Sequence, residues 1–159
     1  MLHRHHVIAG CFAALVLANA SPAAADDSEI ITACLQEQRD SDRDAHNCIG
    51  RVSGPCMEKP EGQSTVAMVE CISTETKAWD DILNMEYRRL LPRLKNEAAE
   101  DVKKAQRLWI QARDADCRIP YYFYDGGTIV QTLGAECVLN HTADRALLLR
   151  SWREMAQGE

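Results

Sequence analysis

The stretch Ala105 to Cys117, AQRLWIQARDADC, carries its apolar residues at helical spacing. Ala105, Leu108 or Trp109, Ala112 and Ala115 or Asp116 recur every three or four residues, which predicts a helix with one apolar face. Trp109 is the largest side chain on that face. Gln106, Arg113 and Asp116 stand beside it, where a neighbouring helix would pair with them. The helix ends on Cys117, and the IPYYFYDGG that follows reads as a loop stapled at its base. The expectation is a helical hairpin that presents a tethered loop.

Upstream, Ser64 to about Leu91 reads as a long helix. Val69, Ile72, Thr76, Trp79, Leu83, Tyr87 and Leu90 form a sustained amphipathic stripe. Pro92 lacks the donor that a helix interior needs, so it weakens or kinks the end of that helix. Asn96 is the expected N-cap of the next helix, with Glu97, Glu100 and Asp101 suited to its positive end. Two long helices joined by a short link are expected to lie antiparallel. Downstream, Cys137 opens or precedes a last helix whose Leu139, Ala143, Ala146, Leu149 and Trp152 or Arg153 face one way. The fold class is therefore all-α, a small antiparallel bundle of three to four helices with disulfide-stapled loops. An alternating pattern is confined to a few residues near Thr128 to Val130.

The amino-terminal end differs in kind. Arg4 among histidines, an apolar run from Val7 to Ala18 and small residues before Asp26 read as a secretory signal over 1–25, cleaved near Ala25. Ile8-Ala9-Gly10-Cys11 imitates a lipobox, but most of the apolar run follows Cys11, so lipid anchoring is not expected. No other apolar stretch approaches the ~18 residues of a membrane span. Export places the chain in an oxidising compartment, periplasmic or extracellular, where cysteines pair. Without Cys11 the set is even: Cys34, Cys48, Cys56, Cys71, Cys117 and Cys137. Clustering favours near-neighbour bridges, although sequence alone does not choose among pairings. Closing the loop of about 20 residues between Cys117 and Cys137 would contribute on the order of 3 kcal/mol. A zinc site is disfavoured because CxxC and HxxxH spacings are lacking.

Between these parts lies a cysteine-containing extension, 26–63, ahead of a helical domain spanning 64–159. Asp26 to Ser28 reads as a frayed end, and Glu29 to Gln38 as a short helix with Ile30, Ile31, Cys34 and Leu35 on one side. Asp40, Asp42 and Asp44 imitate a calcium loop. Ala45 and Arg51 stand where that loop needs glycine and glutamate, so the aspartates read as a solvated turn and no metal is expected. The net charge of −6 argues against nucleic acid and is compatible with a basic protein partner.

The motifs Asp80-x-x-Leu83-Asn84-x-x-Tyr87, Ala105-Gln106-x-x-Trp109, Arg113-Asp114-x-Asp116-Cys117, Gly126-Gly127-Thr128, Cys137 and Thr142-x-x-Arg145-Ala146 resemble, in order and spacing, the LprI-type lysozyme inhibitor family. The likeness covers roughly Cys71 to Leu149. It implies an exported helical domain whose partner is a basic lysozyme-type glycosidase. The family takes its name from a lipoprotein, and the present chain departs from that member in lacking a convincing lipobox.

Catalysis is not expected. GxSxG, HExxH and phosphate-cradling glycine loops are absent from the sequence, and no cofactor is implied. Asn84 and Arg113 read as a hydrogen-bonded register pair, Arg113 with Asp80 or Asp116, in preference to a ligand-binding pair in a groove. Function is placed in the loop Arg118 to Glu136. Tyr121, Tyr122 and Tyr124 have the amphipathic area of interface hot spots, and Asp125, Gly126 and Gly127 would form its tip. Whether the tyrosines project or fold back is left open. The expected mechanism is non-covalent occlusion of a lysozyme cleft; the alternative is a periplasmic binding or envelope-stress module with a protein or small-molecule partner.

Overall fold

Every regular segment in the described residues, 26–124 and 127–158 of a computed structural model, is helical. The helices are α1 (Asp27–Asp40), α2 (Ser53–Met57), α3 (Thr65–Leu90), α4 (Asn96–Asp116), α5 (Pro120–Phe123) and α6 (Ile129–Gln157). Four of them are long, and α2 and α5 are single turns, so the helices exceed the three to four expected. The signal segment 1–25 lies outside the described residues, as do Asp125 and Gly126.

Local chemistry sets the ends. Asp26 and Glu29 form a capping box on α1, so the residues expected to fray are held. Ser64 accepts the Ala67 N–H at 3.2 Å and starts α3. α3 stops at Leu90, and Pro92 sits in a 3-10 turn, Leu91–Arg93. α4 begins at the expected cap itself, one residue early: Asn96 is already helical and Lys95 takes the cap position. The last helix starts at Ile129, well before Cys137, so the short alternation near Thr128 to Val130 is the first turn of α6 and not a strand.

Packing departs from an antiparallel bundle. The dominant pair is α3 with α6, and these two run parallel. Thr65 meets Thr128 at their starts, and Glu86 pairs with Arg153 near their ends. Trp79 and Leu83 of α3 and Leu139, Ala143, Ala146 and Leu149 of α6 build the core, with Ile31 and Leu35 of α1 joining from another side. α4 returns along α6, from Leu94 and Ala98 beside Trp152 and Met155 to the Cys117–Cys137 bridge. It contributes no buried residue within Asn96–Asp116. Of the expected stripe, Ala105 and Trp109 are half-buried while Leu108, Ala112, Ala115 and Asp116 face solvent; Val102, Gln106 and Arg113 are the other inward positions. A two-helix hairpin of α3 and α4 is therefore not the scaffold; α3 and α6 are.

The segment before α3 is clamped to it by one carboxylate. Glu75 is fully buried. It accepts N–H bonds from Gly50 at 2.6 Å, Val52 at 3.0 Å and Ser53 at 2.7 Å, the Ser53 hydroxyl at 2.7 Å and Trp79 Nε1 at 3.2 Å. Gly50 can turn its N–H inward because it adopts φ +90°, which side chains disfavour. Sequence reading missed this residue, since a glutamate between two threonines on a helix looks solvated. Bridges Cys34–Cys48, Cys56–Cys71 and Cys117–Cys137 follow the near-neighbour clustering.

Asp44 is the N-cap of the 3-10 turn Ala45–Cys48 and accepts from His46 N at 2.9 Å. His46 also binds Asp44 through Nδ1 at 2.7 Å and reaches Asp144 of α6 through Nε2 at 3.2 Å. The hydrogen bond to Asp44, above all, raises the His46 pKa above its ordinary 6.5.

Two predictions follow from these contacts. Glu75→Gln places an amide among donors and is expected to destabilise by about 2–4 kcal/mol in urea unfolding; exposed Glu70→Gln should change stability by less than ~0.5 kcal/mol. For His46, a raised folded pKa means a contribution fully present below 6.5 and lost as pH rises through the folded value. The Tm advantage of the wild-type protein over His46→Gln should therefore be larger below pH 6.5 and shrink as pH rises through the raised folded pKa. Solvent screening of the exposed pair keeps it small.

Candidate functional site

After α4 the chain cannot simply continue its helix. Cys117 is buried and bonded to Cys137, and Pro120 opens α5 with its fixed φ. The segment 120–123, expected to be irregular, is thus one helical turn. The projecting loop is shorter than Arg118 to Glu136, because residues from Ile129 onward belong to α6.

The aromatic side chains of this turn divide. Tyr121, itself 52% exposed, rests one edge of its ring on Gly134 of α6, where an added Cβ would stand 3.1 Å from its ring and 3.2 Å from its hydroxyl. Tyr122 and Phe123 are 81% and 76% exposed. Tyr124, Ile119 and Ile129 are also exposed around them. Packing and projection therefore both occur, with Tyr121 as the footing and Tyr122 and Phe123 as the protrusion. Phe123 was not singled out from sequence, although it stands between two tyrosines that were. An open groove of about 600 Å³ runs beside the footing, lined by Val69, Asp114, Arg118, Tyr121, Gln131 and Val138. Gly127 has room for a Cβ, whose nearest neighbour would be Ile129 Cγ2 at 3.7 Å, so space does not demand glycine there.

The other residues of the sequence motifs gather elsewhere. Leu83 is core. Asn84 Nδ2 donates to the Asp80 carbonyl at 2.9 Å and to Asp80 Oδ2 at 2.8 Å, a pairing confined to α3. Arg113 binds neighbouring Asp114, through Nε at 3.0 Å and Nη2 at 2.8 Å, instead of Asp80 or Asp116. Asp116 faces His141 at 3.8 Å. Between α4 and α6, Gln106 Oε1 accepts from Arg145 Nε at 2.8 Å. Trp109 lies beneath two guanidinium groups, Arg113 at 5.1 Å and Arg145 at 5.8 Å. Tyr87 packs against the core. Burial lowers the Arg145 pKa below its ordinary value, with Tyr87 opposing the shift. Cys117, Cys137 and His141 bring potential ligand atoms within 4.8 Å of one another, but the two sulfurs are joined to each other.

The staple should set the rigidity of the protrusion. Replacing Cys117 and Cys137 together by serine is expected to cost on the order of 3 kcal/mol. Hydrogen exchange should accelerate over 118–124 and not over α1, because the footing on Gly134 alone is a partial anchor.

Neither the curated proteins nor the solved structures contain a match to this chain. The family of the lysozyme inhibitor LprI, however, matches residues 56–149. That span runs from the α2 cysteine through the parallel α3–α6 pair and includes the aromatic protrusion. It covers more than half of the sequence, and the chain belongs to the LprI lysozyme inhibitor family.

Proposed function

We propose that this protein is an exported, non-enzymatic inhibitor that occludes the cleft of a basic lysozyme-type glycosidase with the aromatic turn Ile119 to Tyr124. The observation that carries this reading is the exposure of Tyr122 and Phe123 on a turn fixed at both sides, by the Cys117–Cys137 bridge and by Tyr121 on Gly134. Monomeric proteins rarely leave adjacent large aromatics in solvent without an interaction to serve. Fixing them beforehand reduces the ordering cost on binding. Acidic Asp114, Asp116 and Glu136 are exposed around the base of the turn and suit a cationic partner. Asp125, Gly126 and Gly127 complete the proposed contact surface.

In this reading residues 1–25 direct export and are removed near Ala25, residues 26–63 buttress the inhibitor domain 64–159, and no covalent step is involved. Family membership supports the partner class. Among the described residues no helix is long and apolar enough to cross a membrane.

Purified, oxidised protein beginning at Asp26 is expected to slow lysozyme turnover of peptidoglycan in a dose-dependent way. Tyr122→Ala and Phe123→Ala should each weaken inhibition by about tenfold or more, with Tm unchanged because both side chains are in solvent. Leu108→Ala, on the outer face of α4, should inhibit like the wild-type protein. Absence of inhibition at large excess, or equal potency of all variants, would defeat the proposal.

A further inference from the structure

Four arginines from three helices converge on one groove of this acidic chain. Arg39 of α1, Arg89 of α3, and Arg150 and Arg153 of α6 line a hollow of about 190 Å³ between those helices, and Glu86 is in the same lining. The groove is more than a solvated strip. The side chains of Arg150 and Arg153 are 17% and 13% exposed, and its apolar lining includes the buried Leu35 and Ile82.

The carboxylates that meet these arginines are already shared. Glu154 receives Arg39, Arg150 Nε at 3.1 Å and Arg153 Nη2 at 3.2 Å, and Glu86 receives Arg153 Nε. Among the described residues, the Arg89 guanidinium makes no hydrogen bond or ion pair. Four positive charges thus meet two negative ones, and the surplus of like charge repels at close range in a partly dry site. Arg43 and His46 border an adjoining hollow that shares Arg39 and Arg150. They are paired, however, with Glu37 and with Asp44 and Asp144, so the excess stays at the first groove. Pairing with Glu154 and Glu86 ties α1 to α6 and α6 to α3, and it does not account for Arg89.

We propose that this groove binds a phosphate monoester, carried by a soluble sugar or aryl phosphate or by a phosphomonoester lipid headgroup. Near pH 7 such a group carries about −1.5 to −2 charge, which matches the surplus, whereas a sulfate ester or a phosphodiester carries a single charge. Its oxygens accept paired N–H bonds from guanidinium forks. A water molecule takes about 30 Å³ of the liquid, so the groove admits the five atoms of a phosphate and leaves the organic part outside. The groove lies near the ends of α3 and α6, whereas the aromatic turn precedes the start of α6. The site therefore stands independently of the inhibitor reading.

The test titrates the intact oxidised protein with phenyl phosphate and, separately, with phenyl sulfate, in the calorimeter at fixed ionic strength and about pH 7.5. Saturable binding of phenyl phosphate is expected, with phenyl sulfate at least about tenfold weaker. A second arm sediments the protein with phosphatidylcholine vesicles that carry phosphatidic acid or, at matched surface charge, phosphatidylglycerol. Preference for phosphatidic acid assigns the ester to a lipid headgroup; phenyl phosphate binding without vesicle binding assigns it to a soluble ligand. Arg89→Gln should weaken binding of whichever ester binds by about tenfold, with the fold intact because Arg89 is exposed and has no partner to lose. Arg88→Gln is the control. It is exposed in the same last turn of α3, so it changes net charge and helix dipole alike while lying outside the groove's lining, and it should bind like the wild-type protein. The proposal is overturned if neither phenyl phosphate nor phosphatidic acid vesicles bind saturably below millimolar concentration. Equal affinity for the phosphate and the sulfate, or equal effects of Arg88→Gln and Arg89→Gln, would overturn it as well.

Discussion

One buried carboxylate joins the two parts of this chain. Glu75 sits in the middle of α3 and gathers three backbone N–H groups, a hydroxyl and an indole. The segment 50–53 makes a turn that cannot satisfy these donors internally, and it lies against the core, where water is excluded. A carboxyl group with two oxygens offers the acceptor positions that an amide or an alcohol lacks. The same carboxylate fixes Trp79, the largest fully buried side chain. Placement of the extension and packing of the core are therefore one event. Cys34–Cys48 and Cys56–Cys71 then bracket the segment on both sides, and His46 reaches across to Asp144 on α6.

With one side of the α3–α6 pair covered by α1 and the residues after it, the other side is left to α4, whose inward face is unusual. Val102 is apolar, but Gln106 and Arg113 are not, and Trp109 meets guanidinium groups where an aliphatic partner would ordinarily sit. Such a face has little apolar area to bury, so the helix gains less from packing than α3 or α6 do. Its position is set by covalent and terminal constraints, chiefly the Cys117–Cys137 bridge.

This is also where sequence reading reached its limit. The long stripe of α3 was legible because Ile72, Trp79, Leu83 and Leu90 are large and regularly spaced, and all four are buried. The near-neighbour disulfides were legible from clustering. The apolar face read on α4 holds at Ala105 and Trp109 and fails at Leu108 and Ala112, which face solvent. Periodicity places residues on a face, but it does not fix where the covered sector ends, and α4 turns Gln106 and Arg113 inward beside Trp109. Glu75 was illegible because its role depends on donors 22 to 25 residues away. The start of α6 was misjudged because glycine and threonine near 127–128 read as loop, when Thr128 is the N-cap of a helix that begins at once. Of the candidate site, the aromatics were found, but their division was not. Gly134 is the signal that separates them, and it gains meaning only when α6 is known to pass beneath Tyr121.

The division of the aromatics bears on how a small domain could present a protrusion at all. A free loop of tyrosines would collapse onto the nearest apolar surface, since burial of each ring is favourable. Here the nearest surface is already taken: Tyr121 occupies the flat strip at Gly134, and the buried bridge fills the base. Pro120 and the single turn of α5 then direct Tyr122 and Phe123 away from the core. The contact is close because Gly134 has no Cβ, so the ring of Tyr121 approaches the α6 backbone directly. Tyr121 itself stays half in solvent, so the turn gains little stability from burying its rings, and contact with Gly134 fixes its direction more than it hides apolar area.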